Sequence, residues 1–194
     1  TGADYIILSH THYDHTKDVG YLHKKFNSKV IVGAMSALSL AQYFDINPDN
    51  LYAVMPQEQY IFEDFVLDVF RSKHTFFNNK DLNINQILSN SKKPEHPFPQ
   101  GHIDADVYGY IEYIDYMITT KENYRIFIAG GGPHKFTYQN IYETMRKFQP
   151  NLLFRQTSSK YTPEEFGQMA ADFHCQFVFP LHQDGLARKS DITI

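Results

Sequence analysis

From residue 9 the chain reads Ser9-His10-Thr11-His12-Tyr13-Asp14-His15, and His10, His12, Asp14 and His15 are all side chains that bind metals well. Neutral imidazole suits zinc, iron and related divalent ions, and a carboxylate beside imidazoles suits a hydrolytic centre. The donors directly follow Tyr5-Ile6-Ile7-Leu8, an apolar run too short for a helix and rich in β-branched residues. That run predicts a buried strand, with the donors where strand gives way to helix. Placing so many polar groups beside a buried strand is costly unless a cation compensates them. The competing reading is a polar loop that happens to be His-rich, and zinc's strong preference for such ligands counts against it.

The segment His10-Thr11-His12-Tyr13-Asp14-His15 resembles the His-x-His-x-Asp-His signature of the metallo-β-lactamase fold superfamily, and the resemblance continues in order along most of the chain. It implies an α/β fold, a four-layer αββα sandwich in which His10 and His12 bind one metal while Asp14 and His15 bind a second. The enzymes named after β-lactams commonly lack the last histidine of the motif. Retaining it makes the chain similar to the broader hydrolase branch of phosphodiesterases, lactonases and thioester hydrolases. Several strands precede the motif in that family, whereas here only a few residues do. The expectation is a single domain over residues 1–194 that lacks its N-terminal strands.

A chain of 194 residues is long enough for one good core. Its formal charge of −4 gives no reason to expect strong nonspecific nucleic-acid binding, yet a nucleotide substrate stays open because a metal supplies local positive charge. A small-molecule substrate is the expected partner. The single cysteine, Cys175, rules out an internal disulfide and a thiolate cluster. No apolar run approaches the length of a membrane span, and no signal peptide is visible. Compartment, with cytoplasm as the default, and oligomeric state are left open.

The elements that must position the donors follow from periodicity. Thr16 to Phe26 reads as a helix with His23 on its surface, Lys29 to Gly33 as a short parallel strand, and Ser36 to Phe44 as a second helix ended by Asn47-Pro48. Gln59 to Phe62 and Phe65 to Arg71 read as consecutive strands. The second of these runs out at Ser72-Lys73-His74, where the resemblance puts the third histidine of the first metal, so His74 takes that role. Lactonases and thioester hydrolases of the family often carry Gly-His-x-x-Gly-His at this point; the neighbours here are Lys73, Thr75, Phe76 and Phe77. Residues 78–104 lose periodicity and read as a loop insertion over the active site, with His96 and His102 as exposed loop residues.

Val107 to Thr119 predicts a long strand, and Tyr124 to Ala129 its hairpin partner. The turn Gly130-Gly131-Gly132-Pro133-His134 then departs from the family pattern, because Gly131 stands where an Asp usually bridges both metals. His134, close by in sequence, is a candidate substrate contact or proton donor, with a plain turn histidine as the alternative. Thr137 to Phe148 forms an amphipathic helix, Asn151 to Phe154 a strand, and Thr162-Pro163-Glu164-Glu165 a helix start. Gln176 to Leu181 is the last strand, with His182 at its end, where the resemblance places the final histidine of the second metal. Asp184, two residues on, would orient an imidazole or simply form a turn.

The reading is therefore a metal-dependent hydrolase with His10, His12 and His74 on one ion and Asp14, His15 and His182 on the other. Water activated at such a centre attacks an ester-type substrate, and Asp14 would orient that water and take its proton. Tyr13 inside the motif and the absent Gly-His-x-x-Gly-His favour a phosphodiester over a lactone or thioester. Zinc is the default, as one or two ions, with manganese or iron open. The alternative is a catalytically impaired relative that binds one metal or a ligand, because Gly131 removes a bridging carboxylate. The oxygen-reactive iron proteins of this fold are a third reading; their diiron type usually has Glu where this chain has His12.

Overall fold

In a computed structural model that describes residues 2–73, 83–90, 112–130, 135–156 and 162–181, the run after Asp4 forms strand β1, Tyr5–Ile7. By its contacts the chain divides into two compact units, Thr1–Pro56 with Phe76–Tyr113 and Gln57–Thr75 with Ile114–Ile194.

The first unit continues with α1 (Tyr13–Thr16), α2 (Val19–Phe26), β2 (Lys29–Gly33), α3 (Ala34–Phe44), a 3-10 turn at Pro48–Asn50 and β3 (Leu51–Val54). The three strands pair in parallel in the order β1-β2-β3, with Tyr5 opposite Lys29 and Val30 opposite Leu51. Parallel neighbours need crossovers, and the helices supply them. Val30, Ile31 and Val32 are buried in succession, as expected of a central parallel strand covered on both faces. Leu8, Val19, Val30, Val32, Ala37, Leu40 and Ile46 form this unit's core. An ideal Cβ on Gly20 would lie 2.7 Å from Phe44 Cδ1, so glycine is what lets α2 approach the end of α3.

Three sequence expectations need correction here. The helix read from Thr16 to Phe26 is two helices. The His12 carbonyl accepts both the His15 N–H (3.1 Å) and the Thr16 hydroxyl (2.9 Å), which closes α1, and a new helix opens where the Leu22 N–H reaches the Asp18 carbonyl. His23 is not on the surface; it is buried, with Nδ1 2.8 Å from the Ser28 carbonyl and Nε2 accepting the Asn47 N–H at 3.2 Å. Two backbone partners make its burial affordable. Strand β3 was not anticipated, because four residues after a Pro-Asp-Asn turn are too few to display a period.

The second unit holds β4 (Gln59–Ile61), β5 (Phe65–Arg71), β6 (Ile114–Thr120), β7 (Arg125–Ala129), α5 (Lys135–Phe148), β8 (Leu152–Gln156), α6 (Pro163–Asp172) and β9 (Phe177–Leu181). The six strands lie side by side in chain order, antiparallel from β4 to β7 and parallel from β7 to β9. Met117, Phe127, Ala129 and Leu153 present one face to Ile141 and Met145 of α5 and to Phe173 after α6. The long strand expected over 107–119 begins only at Ile114. That residue pairs with Arg71, the last of β5, so an earlier start has no ladder partner there; residues 107–111 lie outside the described residues. Of the loop expected over 78–104, only 83–90 is described, and it contains a helix, Ile84–Asn90, numbered α4 after its place as the fourth helix of the chain. The Asn83 side chain accepts the Asn85 N–H at 3.0 Å and starts it, a cap that was readable in the sequence. Among the described residues, no helix is long and apolar enough to cross a membrane.

Candidate metal centre

The chain leaves the first sheet at the carboxyl end of β1, where the Leu8 N–H still bonds the Ile31 carbonyl at 2.9 Å. The next residues carry the motif into α1. His10 is 2% exposed and Thr11 is fully buried, so the motif turns inward at once. Around the His10 ring lie His12, edge-on at 4.8 Å between centroids, and His15 at 4.0 Å. Tyr113 packs at 4.6 Å from His10 and 5.9 Å from His12. Ser9 Oγ stands 3.0 Å from His10 Nδ1.

The structure thus brings together three of the histidines singled out in the sequence, His10, His12 and His15. Asp14 lies on α1 by its backbone, and its side chain is outside the described residues. His74, His182, Gly131, His134, Asp184, His96, His102, Phe76 and Phe77 also lie outside them. Among the described residues no three His, Cys, Asp or Glu side chains are arranged to hold one ion. The resemblance would divide the three described histidines between two ions. Imidazole nitrogens suit a divalent cation, and of the three rings His10 is buried while His12 and His15 are half-buried.

Topology adds a second observation. Strands β5, β7, β8 and β9 all run in the same direction, so their carboxyl ends open on one edge of the six-stranded sheet. His74 follows Arg71 of β5, Gly131 follows Ala129 of β7, and His182 directly follows Leu181 of β9.

Sequence reading missed Tyr113, which it treated as one position of a strand, and gave Ser9 no role. A hydroxyl next to His10 was a readable signal for Ser9, whereas nothing local ties Tyr113 to a motif about a hundred residues earlier. Cys175 belongs to the second unit. Burial raises its thiol pKa, its Sγ–H donates to the Pro150 carbonyl at 3.2 Å, and it packs against the second core.

The sequence profile of the metallo-beta-lactamase superfamily matches residues 3–138, well over half of the chain, and the chain belongs to this superfamily. Among curated proteins none matches. Its fold is similar to that of Igni18, a metallo hydrolase from the archaeon Ignicoccus hospitalis, with a TM-score of 0.58 at 11% identity over 92% of this chain and 63% of that one. It is also similar to a possible metal-dependent hydrolase from Veillonella parvula, with a TM-score of 0.59 at 10% identity over 93% of this chain and 62% of that one. The Bacillus subtilis protein YhfI, of the metallo-beta-lactamase fold, gives a TM-score of 0.50 at 12% identity over 96% of this chain and 69% of that one. The chain therefore spans less than two thirds of the length of the first two relatives. At such identities the likeness is one of fold, and the fold is that of the metallo-β-lactamase family.

Proposed function

We propose that this protein is a metal-dependent hydrolase acting on a small ester-type substrate, with a phosphodiester favoured over a lactone or thioester. One observation carries the reading: His10, His12 and His15, in a chain of this superfamily, gather at the end of β1 with His10 withdrawn from solvent. His10, His12 and His74 would hold one ion; Asp14, His15 and His182 would hold the other. Zinc suits these donors best, and manganese or iron suits them less specifically. When bound, such ions acidify water and stabilise negative charge developing on a substrate oxygen. Asp14 takes the proton from the attacking water, and His134 contacts the substrate and supplies a proton to the leaving oxygen. Residues 78–104 contribute to the substrate side of the centre. The preference for phosphodiesters is supported by Tyr13 and by the absence of a Gly-His-x-x-Gly-His pattern around His74.

The test is metal content per chain together with hydrolysis of bis(p-nitrophenyl) phosphate, a simple lactone and a thioester by the same preparation. Retained zinc with phosphodiester cleavage is the expected result, with the zinc content lowered and cleavage lost in His12→Ala. A chain that retains no divalent ion and cleaves none of the three substrates contradicts the reading.

Gly131 favours a second reading, a relative that binds one ion without turnover, since a missing bridging carboxylate weakens the second site most. One tightly held ion and no esterase activity, with a second ion and activity gained in Gly131→Asp, would select it.

A further inference from the structure

We propose that the cavity of about 310 Å³ between α5 and the end of α6 binds a small organic ammonium ion, with Asp172 as its counter-ion and the Tyr142 ring as its platform. The inference is independent of the metal centre, since every residue it uses lies in α5, in α6 or directly after it.

Gln139 and Tyr142 line the cavity from α5, Asp172 from the last position of α6, and His174 from the turn beyond it. Its volume falls at the lower end of the range for small-ligand sites, about 300–1,000 Å³. Its lining has what such sites use, namely an aromatic ring, a charged group and a few hydrogen-bonding groups. Local structure explains why these four converge. Gln139 and Tyr142 are three residues apart on one helix and so share a face. Opposite them, Phe173 is buried in the core, and its two neighbours flank it. His174 has a φ of 51°, in the left-handed region that few non-glycine residues adopt, and its N–H donates to the Ala171 carbonyl at 3.2 Å. That reversal ends α6 and puts His174 on the same cavity as Asp172. The Tyr142 ring lies 6.4 Å from that of Phe173, so the platform is seated on the core.

Charge selects the ligand. Helix α6 ends in Asp172 with no basic residue in its last turn, so the carboxylate adds to the negative end of the helix dipole. An acid is unfavourable at that end, and a bound cation offsets both charges. Gln168 Nε2 donates to Asp172 Oδ1 at 3.1 Å, which orients the carboxylate without neutralising it. On α5, Gln139 donates to the Glu143 carboxylate at 2.7 Å, bringing a second negative charge beside the lining. A cation already uses the aromatic wall: the Arg146 guanidinium carbon lies 5.9 Å from the Tyr142 centroid. A metal ion is poorly served here, since among the described residues no three His, Cys, Asp or Glu side chains are arranged to hold one. An ammonium group on a short alkyl chain suits both the carboxylate and the ring.

The test is a titration of the full chain with n-butylammonium chloride at constant ionic strength, followed by amide NMR. Butan-1-ol serves as the neutral control of the same shape. A lysine side chain offers the same group, so the amide of N-acetyl-lysine is the second probe. The expected result is saturable shifts at Gln139, Tyr142, Asp172 and His174 with n-butylammonium and none with butan-1-ol. Asp172→Asn, which keeps the shape and an acceptor for Gln168, should weaken binding about 10–100-fold. Tyr142→Leu should weaken it about 2–30-fold.

No saturable shifts with n-butylammonium, or equal shifts with butan-1-ol, overturn the proposal. Parent affinity in Asp172→Asn does the same, because the carboxylate would then not be the counter-ion. If Tyr142→Leu fails to fold, Asp172→Asn decides alone. Tighter binding of n-butylammonium than of the lysine amide supports a free amine, and the reverse order overturns that choice in favour of a lysine side chain.

Discussion

A neutral imidazole carries one nitrogen that donates and one that accepts, and in His23 both are occupied by backbone. Nδ1 donates to the Ser28 carbonyl and Nε2 accepts the Asn47 N–H, so this histidine ties α2 to the start of β2 and to the turn after α3. It has no lone pair left for an ion. His10 has different surroundings: the Ser9 hydroxyl stands 3.0 Å from Nδ1, and the rings of His12 and His15 lie beside it. The two histidines should therefore separate in experiment. His23→Leu leaves a buried carbonyl and a backbone N–H without their partner, and should cost roughly 1–3 kcal/mol in denaturant unfolding. Metal content per folded chain should stay at the parent value in that variant. A loss of metal without a loss of stability would mean that His23 belongs to the centre after all.

At the scale of elements, α6 shows how completely a short sequence can specify a boundary. Thr162 accepts the Glu165 N–H at 3.2 Å, and the Glu165 carboxylate accepts the Thr162 N–H at 2.8 Å. Pro163 supplies the preset first helical position. A backbone hydrogen bond to its own N–H, and then one to the Thr162 side chain, hold the Glu164 carboxyl below its ordinary pKa. A depressed carboxyl contributes stability that is present above its unfolded pKa and fades as pH falls through the folded value. Thr162→Ala should cost about 1 kcal/mol in unfolding free energy. The Glu164 titration, followed by NMR, should then move up toward the ordinary carboxylate range. An unmoved titration would show that the Thr162 hydroxyl does not act on Glu164.

At the scale of the whole molecule, each unit has a core of its own, one built on Val30, Val32 and Leu40, the other on Met117, Phe127 and Leu153. An ion bound by the native state alone stabilises it by mass action, about 2.7 kcal/mol at a free concentration 100 times its dissociation constant. Stripping the metal should lower the thermal midpoint, and restoring zinc should recover it. Equal midpoints with and without metal would show that no ion is held by the folded chain.

Much of this was written locally. The strands β1, β2, β4, β5, β7, β8 and β9 and the start of α6 follow from runs of apolar residues and from caps, because those signals lie within a few residues of the elements they specify. The gathering of His10, His12 and His15 was equally visible, since neighbours in sequence at a strand's end must be neighbours in space. The burial of His23 was decided by Ser28 and Asn47, which reach it only once α2, β2 and α3 have packed. The late start of β6 was decided by where β5 runs out, and the placement of Tyr113 on His10 by the return of the chain about a hundred residues after the motif. Residue type and short-range spacing settle which side chains can do chemistry; that both nitrogens of His23 are already engaged depends on partners that only packing brings to it.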